Sequence, residues 1–265
     1  MKYKLLAIDL DGTLLDDKQQ VSPRNIAALR SAAKSGAHVM IATGRPYLAS
    51  QWVFEKSGLE GLIMSLGGAL VSRYPSGETV SSEVLSSDVP LEIARFCRER
   101  GVFFHCISGT EYYFEKQCPE VEVTEHYFGF KGHCRTFDEN EEIVFNKGNL
   151  VLLDPAMTQQ IADALDMALV GKAEVLVSDK QVIDITPKGV NKAVTLLKVA
   201  ESLGVSPEEI MAFGDTSSDI SMIKAAGIGV CTANGTPDAL AVADLIAPSN
   251  NDDGVADIIE RYVLV

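Results

Sequence analysis

Two aspartates near the amino terminus, Asp9 and Asp11, are the residues best placed to do chemistry. They lie in Asp9-Leu10-Asp11-Gly12-Thr13, directly after the apolar run Leu5-Leu6-Ala7-Ile8. The run predicts a buried parallel strand, and carboxylates two residues apart at its end point to the same side. Gly12 lets the chain turn away sharply. Open α/β sheets bind their ligands at the carboxyl ends of such strands. A pair of acids there attracts a cation, and with one it supports nucleophilic and acid–base chemistry. The same five residues also fit an Asx-turn that merely exposes two acids.

Three further stretches carry chemistry of the matching kind. Val39-Met40-Ile41-Ala42 reads as a strand ending in Thr43-Gly44-Arg45. A hydroxyl, a bare backbone amide and a guanidinium in succession suit a phosphate; they equally suit a strand end that caps the next helix. Lys192 opens a predicted helix, where its charge opposes the helix dipole. An anion beside it would offset that cost, and the plain alternative is a solvated lysine. Phe213-Gly214-Asp215-Thr216-Ser217-Ser218-Asp219 ends another strand. Oxygens from Asp9, Asp215 and one backbone carbonyl, with water and a phosphate oxygen, would make the octahedral site that Mg²⁺ prefers. Asp219 or Ser218 is also expected to cap the following helix.

These residues need a sheet to bring them together. Residues 1–66 alternate strand (4–10, 37–42, 62–66) with helix (22–35, 47–57), which implies a parallel sheet with helices on both faces. Ser22 as N-cap, Pro23 in the first turn and Gly36 as a stop frame the first helix. The rhythm changes to a hairpin over 68–80 that turns at Pro75-Ser76-Gly77, then a helix over 88–100 and strands at 102–107 and 111–115. Residues 116–142 are the least readable, with room for one short helix. Strand 147–153, helix 155–169 and a hairpin at 173–178 and 181–186 follow. Helix–strand–strand thus occurs twice between 84 and 184, which reads as an inserted α+β domain. The α/β rhythm resumes with helix 190–203, a capping box at Ser206-Pro207-Glu208-Glu209, strand 210–213, helix 218–226, strand 227–231, a helix from Pro237 and a last helix at 252–262.

Composition narrows the function further. The 265 residues are 46% hydrophobic and 23% charged, as in an ordinary soluble globule. No apolar run is long enough for a bilayer, and a signal peptide would remove the strand that carries Asp9, so a cytoplasmic protein with no membrane partner is expected. A net charge of −14 argues against a nucleic-acid partner. It also means that local cations must draw any phosphate in. Five cysteines include no Cys-x-x-Cys; Cys97, Cys106, Cys118 and Cys134 share a stretch with His105, His126 and His133 at spacings that fit no zinc pattern. Reduced, mostly buried thiols are expected.

Taken in order, the four motifs resemble the haloacid dehalogenase superfamily of phosphatases, in particular its Cof-type branch with a large type-II cap. The resemblance covers essentially the whole chain, including the tail from Ala243-Asp244 through Ser249-Asn250-Asn251-Asp252-Asp253-Gly254-Val255-Ala256. It implies a doubly wound, Rossmann-like α/β core over 1–82 and 188–265, with an inserted α+β cap at 83–187. It implies a Mg²⁺-dependent phosphatase of small phosphate monoesters, sugar phosphates or similar metabolites, that works through an aspartyl-phosphate. Asp9 would be the nucleophile and Asp11 the acid–base; Asp9, the Asp11 carbonyl and Asp215 would hold the metal, with Asp219 behind them. Leu10, Thr43, Gly44, Arg45, Lys192 and Ser218 would hold phosphate or substrate, and the cap would close over the site. Specificity would lie in the cap, whose aromatics (Phe103, Phe104, Tyr112, Tyr113, Phe114, Tyr127, Phe128, Phe130) are expected mainly as its core.

Three positions depart from the family pattern. Gly67, Ser218 and Thr236 stand where asparagines are usual, which puts substrate positioning and a contact behind the phosphate or metal in question. A phosphomutase on the same site and a binding protein that has lost turnover are the competing readings. Isomer formation instead of phosphate release would mark the first. Absence of any hydrolysis, with Asp9→Asn equal to wild type, would mark the second. Neither the substrate nor the oligomeric state is legible.

Overall fold

The computed structural model describes residues 2–85, 88–138 and 144–264. The end of the poorly readable stretch 116–142 falls outside these residues. The chain divides into two compact units, Met1–Val80 with Asn191–Val265, and Ser81–Val190.

The first unit begins with β1 (Leu5–Ile8), α1 (Pro23–Lys34), β2 (His38–Ala42), α2 (Trp52–Ser57), β3 (Gly61–Ser65), β4 (Leu70–Tyr74) and β5 (Thr79–Ser82). Ser22 caps α1 by accepting from the Asn25 N–H at 3.0 Å. The helix expected over 47–57 is broken into one 3₁₀ turn and the six residues of α2.

The second unit holds α3 (Asp88–Arg100), β6 (Phe103–Ser108), β7 (Glu111–Phe114), α4 (Pro119–Phe128), β8 (His133–Cys134), β9 (Lys147–Val151), α5 (Thr158–Ala168), β10 (Ala173–Asp179) and β11 (Val182–Pro187). Its six strands run in the order β10-β11-β9-β6-β7-β8. Phe104, Cys106, Leu150, Ile183 and Ile185 form one core with Val89 and Ile93 of α3 and Ile161 and Leu165 of α5. Tyr112 and Phe114 pack with Val121 of α4 in a second, smaller core. Of the eight aromatics expected as core, Phe104, Tyr112 and Phe114 are buried, and Tyr127 is exposed. Cys97, Cys106 and Cys231 are buried, while Cys118 is half-buried and Cys134 exposed. Most of the thiols are thus buried, as expected, with Cys134 exposed on the short outer strand β8.

The first unit resumes with α6 (Lys192–Ser202), β12 (Ile210–Gly214), α7 (Ile220–Ala225), β13 (Ile228–Thr232), α8 (Pro237–Leu240), β14 (Leu245–Ala247) and α9 (Gly254–Tyr262). Its eight strands run β14-β13-β12-β1-β2-β3-β4-β5. From β14 to β3 all neighbours are parallel, and β4 joins antiparallel to β3. Alternation along the strands feeds two cores. Leu6, Ile8, Val39, Ile41, Met211 and Phe213 face Leu29 of α1 and Ile258 and Ile259 of α9. Leu5, Ala7, Met40, Ala42, Ile210 and Ala212 face Leu196 and Val199 of α6. The sheet is thus covered on both sides, as a doubly wound fold requires. No helix among the described residues is long and apolar enough to cross a membrane.

Candidate active site

Register brings the acids together. Ile8 pairs with Phe213 on one side and Ile41 on the other, and the Asp9 N–H donates to Phe213 O at 3.0 Å. Asp9, Thr43 and Asp215 therefore emerge side by side at the carboxyl ends of β1, β2 and β12. Carboxylate oxygens of Asp9, Asp215 and Asp219 lie within 4.8 Å of one another, and all three residues are buried.

Lys192 joins this cluster from α6. Asn191 caps the helix by accepting from the Val194 N–H at 3.0 Å. Lys192 Nζ donates to Asp9 Oδ1 at 2.7 Å and to Asp219 Oδ1 at 2.6 Å. The anion that this misplaced lysine calls for is supplied by the protein itself. Burial works against the ammonium, but Asp219 and Asp9 outweigh it and hold its pKa above the usual lysine range.

Asp219 is fully engaged. Its Oδ2 accepts from the backbone N–H of Asp215 and of Thr216, both at 3.1 Å, and from Thr216 Oγ1 at 3.2 Å. Its side chain closes a capping box with Thr216. Asp215 is positioned by Thr13 Oγ1, which donates to its Oδ1 at 3.0 Å, and by the Thr236 N–H on its carbonyl at 2.8 Å. Gly12 is obligatory here: its φ is 75°, and a Cβ would lie 2.3 Å from Asp215 Oδ2.

Three buried carboxylates around one lysine leave an excess of negative charge in a poorly solvated place. Burial raises the Asp9 pKa well above its ordinary value, with Asp219 and Asp215 adding to the rise and Lys192 opposing it. Burial and Asp219 likewise push Asp215 up to about 6. A donor set of hard oxygens short of positive charge fits a divalent cation such as Mg²⁺ or Ca²⁺. Asp9 and Asp215 are the carboxylates that could hold it, because both oxygens of Asp219 are already engaged.

Asp11 faces a different partner. Arg45 Nε donates to Asp11 Oδ2 at 2.7 Å, and Arg45 Nη2 donates to Asp11 Oδ1 and to Gln19 Oε1. Arg45, expected at the phosphate, thus places its guanidinium on Asp11. Thr43 is buried, and its Oγ1 accepts from the Arg45 N–H at 3.2 Å. The segment after β3 clamps this turn: Leu66 N–H donates to Arg45 O and Gly67 N–H to Thr43 O, both at 3.1 Å. Leu10 is buried, and its carbonyl accepts from the N–H groups of Thr13, Leu14 and Leu15, which bends the chain after the strand. Ser218 is exposed and pairs with Thr216 Oγ1 at 3.0 Å instead of joining the acids.

A model of haloacid dehalogenase-like hydrolases matches residues 6–259. The chain belongs to that family. It is 31% identical over 263 residues to the 5-amino-6-(5-phospho-D-ribitylamino)uracil phosphatase YcsE of Bacillus subtilis, covering 98% of this chain and 96% of the relative. It is 26% identical to the HMP-PP phosphatase of Yersinia pseudotuberculosis, over 89% of this chain and 85% of the relative. A haloacid dehalogenase-like hydrolase from Bacteroides thetaiotaomicron superposes with a TM-score of 0.89 at 29% identity, covering 98% and 99% of the two chains.

In this haloacid dehalogenase-like hydrolase the three positions where asparagines are usual carry other contacts. Gly67 has a φ of 69°, a left-handed conformation that asparagine also tolerates. Thr236 still reaches the Asp215 carbonyl through its own N–H. Ser218 keeps a hydroxyl beside the capping box. Sequence reasoning missed Thr13, Gln19, Asn234 and Asn250 as contributors. Thr13 stood inside the quoted motif, but the amides carry no local signal, because their partners are more than 25 positions away in the chain or in another motif.

Proposed function

We propose that the chain is a Mg²⁺-dependent phosphatase that hydrolyses small phosphate monoesters, sugar phosphates or similar metabolites, through an aspartyl-phosphate on Asp9. The observation that carries this reading is the buried cluster of Asp9, Asp215 and Asp219, in which Lys192 donates to Asp9 and Asp219. Such a cluster is costly for stability alone, and it sits where an α/β sheet binds ligands.

In the first step an Asp9 carboxylate oxygen attacks phosphorus in line, and the bond from phosphorus to the ester oxygen breaks. Asp11 gives its proton to that departing oxygen. In the second step Asp11 takes a proton from water, which attacks the same phosphorus and releases inorganic phosphate from Asp9. Lys192 fixes the Asp9 carboxylate and offers positive charge to the transferring oxygens, together with the Thr43 hydroxyl and the amides of Leu10 and Gly44. Asp9, the Asp11 carbonyl and Asp215 would hold the dication, which lowers the charge of the site and of the phosphate. Lys192 opposes the rise that burial causes in the Asp9 pKa, and a bound dication would favour the ionised carboxylate further.

Hydrolysis of p-nitrophenyl phosphate with and without Mg²⁺, for wild type and Asp9→Asn, tests the reading. Metal-dependent release of phosphate by wild type and its loss in the variant are expected. Equal rates in both proteins would overturn it.

A further inference from the structure

Between Asp11 and α1 the chain folds back on itself. Isolated β-bridges pair Asp11 with Leu15 and Leu15 with Val21. At the tip, Asp16 Oδ1 accepts from the N–H of Lys18 at 2.9 Å and of Gln20 at 2.8 Å. This turn holds Gln19 at a φ of 59°, a left-handed conformation that burdens any residue with a Cβ and that glycine takes freely. Gln19 is exposed, so no core packing accounts for a long side chain at that place.

What the side chain does is accept from Arg45 Nη2, the nitrogen that also donates to Asp11 Oδ1. We propose that Gln19 is a positioning residue for Asp11, acting through Arg45. The inference rests on the acid–base role assigned to Asp11 above. A guanidinium fork sets the plane of the carboxylate it grips, but an arginine side chain has several free torsions and needs a stop of its own. Gln19 is that stop. As a neutral acceptor it fixes the guanidinium without dividing its charge between two anions, as a glutamate would.

The stop is itself anchored. Asn250 Nδ2 donates to Leu15 O at 3.0 Å and to Asp17 Oδ1 at 3.1 Å, and Asn251 Oδ1 accepts from the Asp17 N–H at 3.1 Å. Asn234 Nδ2 donates to Gly12 O at 2.8 Å, while its Oδ1 accepts from the Asn250 N–H at 3.0 Å. The tail motif around Asn250 therefore braces the loop whose tip carries Gln19. Buried Asn250, with Asn234 and Asn251, thus braces from the far end of the chain the loop that presents Gln19 to Arg45.

The test uses leaving groups. Protonation by Asp11 matters little for p-nitrophenolate, which leaves as a stable anion, and more for phenolate or 4-methoxyphenolate. In Gln19→Ala and Gln19→Gly, kcat/KM is expected to stay within about threefold of wild type for p-nitrophenyl phosphate. It is expected to fall roughly tenfold to a hundredfold for phenyl and 4-methoxyphenyl phosphate, which steepens the leaving-group dependence. Gln19→Gly also relieves the backbone, so its melting temperature holds or rises; a purely structural role predicts an unimpaired enzyme. An equal fall on every ester, or no change in slope, would overturn the proposal. A crystal structure of Gln19→Gly decides the geometry even if the phosphatase reading fails. Arg45 withdrawn from Asp11 Oδ1 supports the proposal, and an unchanged fork overturns it.

Discussion

Lys192 donates to Asp9 Oδ1 at 2.7 Å across 183 positions of chain. The bond joins the end of the first strand to the first turn of a helix that starts only after the inserted unit. It makes one ammonium the fixed counter-charge of the proposed nucleophile. Replacing Lys192 by Met keeps the length of the side chain and removes the charge. We expect turnover of p-nitrophenyl phosphate to fall by about 10²–10⁴, read as kcat on protein whose circular dichroism matches wild type.

Asp215 makes a prediction about pH and metal. Its pKa, pushed up to about 6 mainly by burial and then by Asp219, exceeds the ordinary 3.8. The folded state therefore binds this proton more readily than the unfolded chain. That contribution to stability is complete below about 3.8 and is lost as pH rises through about 6. In EDTA the melting temperature should decline over this window, and Mg²⁺ should restore it at pH 7 by binding the ionised form. Asp215→Asn should flatten the decline and weaken the response to Mg²⁺. Scanning calorimetry at pH 4 and pH 7, with and without metal, checks both.

Gly12→Ala should be damaging far beyond the size of a methyl group. The added Cβ would meet Asp215 Oδ2 at 2.3 Å on a backbone already at a φ of 75°. We expect a loss of about 1–2 kcal/mol from the left-handed conformation alone, measured by urea unfolding. Mg²⁺-dependent turnover should fall more than stability does, because the displaced group is a proposed metal ligand.

His105, in the inserted unit, offers a prediction away from the site. It is enclosed by the rings of Phe103, Tyr112 and Phe128, and its Nδ1 has no hydrogen-bond partner among the described residues. Burial first, and then the nearby Lys147, lower its pKa from 6.5 to about 3. A depressed value means that its contribution is complete above 6.5 and is lost as pH falls toward 3. Wild type should therefore lose stability relative to His105→Phe by about 1.4 kcal/mol per pH unit across that range. Urea midpoints of the two proteins at pH 7, 5.5 and 4 provide the comparison.

Much of the site was legible because its residues break apolar strands. Asp9, Thr43 and Asp215 each follow four or five buried residues, and Lys192 stands in a helical first turn where a lysine is out of place. The doubly wound core could be read from the same alternation. The strand β14 could not, because Leu245-Ile246-Ala247 is too short for any period and follows a four-residue helix without a turn signal. Ser218 was expected at the phosphate by analogy with a longer side chain; the tight turn of the capping box instead leaves it exposed beside Thr216. Arg45 was read from its neighbours Thr43 and Gly44. Nothing local announces that its partner is Asp11, because that pairing is decided by which strands are adjacent.

β1 lies between β2 and β12, although about 170 residues separate those two neighbours in the chain. During synthesis Asp9, the proposed nucleophile, emerges 183 positions before Lys192. Every nascent or prematurely ended product that stops short of Lys192 carries Asp9 and Asp11 without the groups proposed to arm them. The proposed reactivity toward phosphate esters thus arises only once the segment that carries Lys192 has been made. For most of its synthesis β1 also presents an unpaired edge, which leaves the growing polypeptide dependent on prompt completion to avoid pairing with strangers.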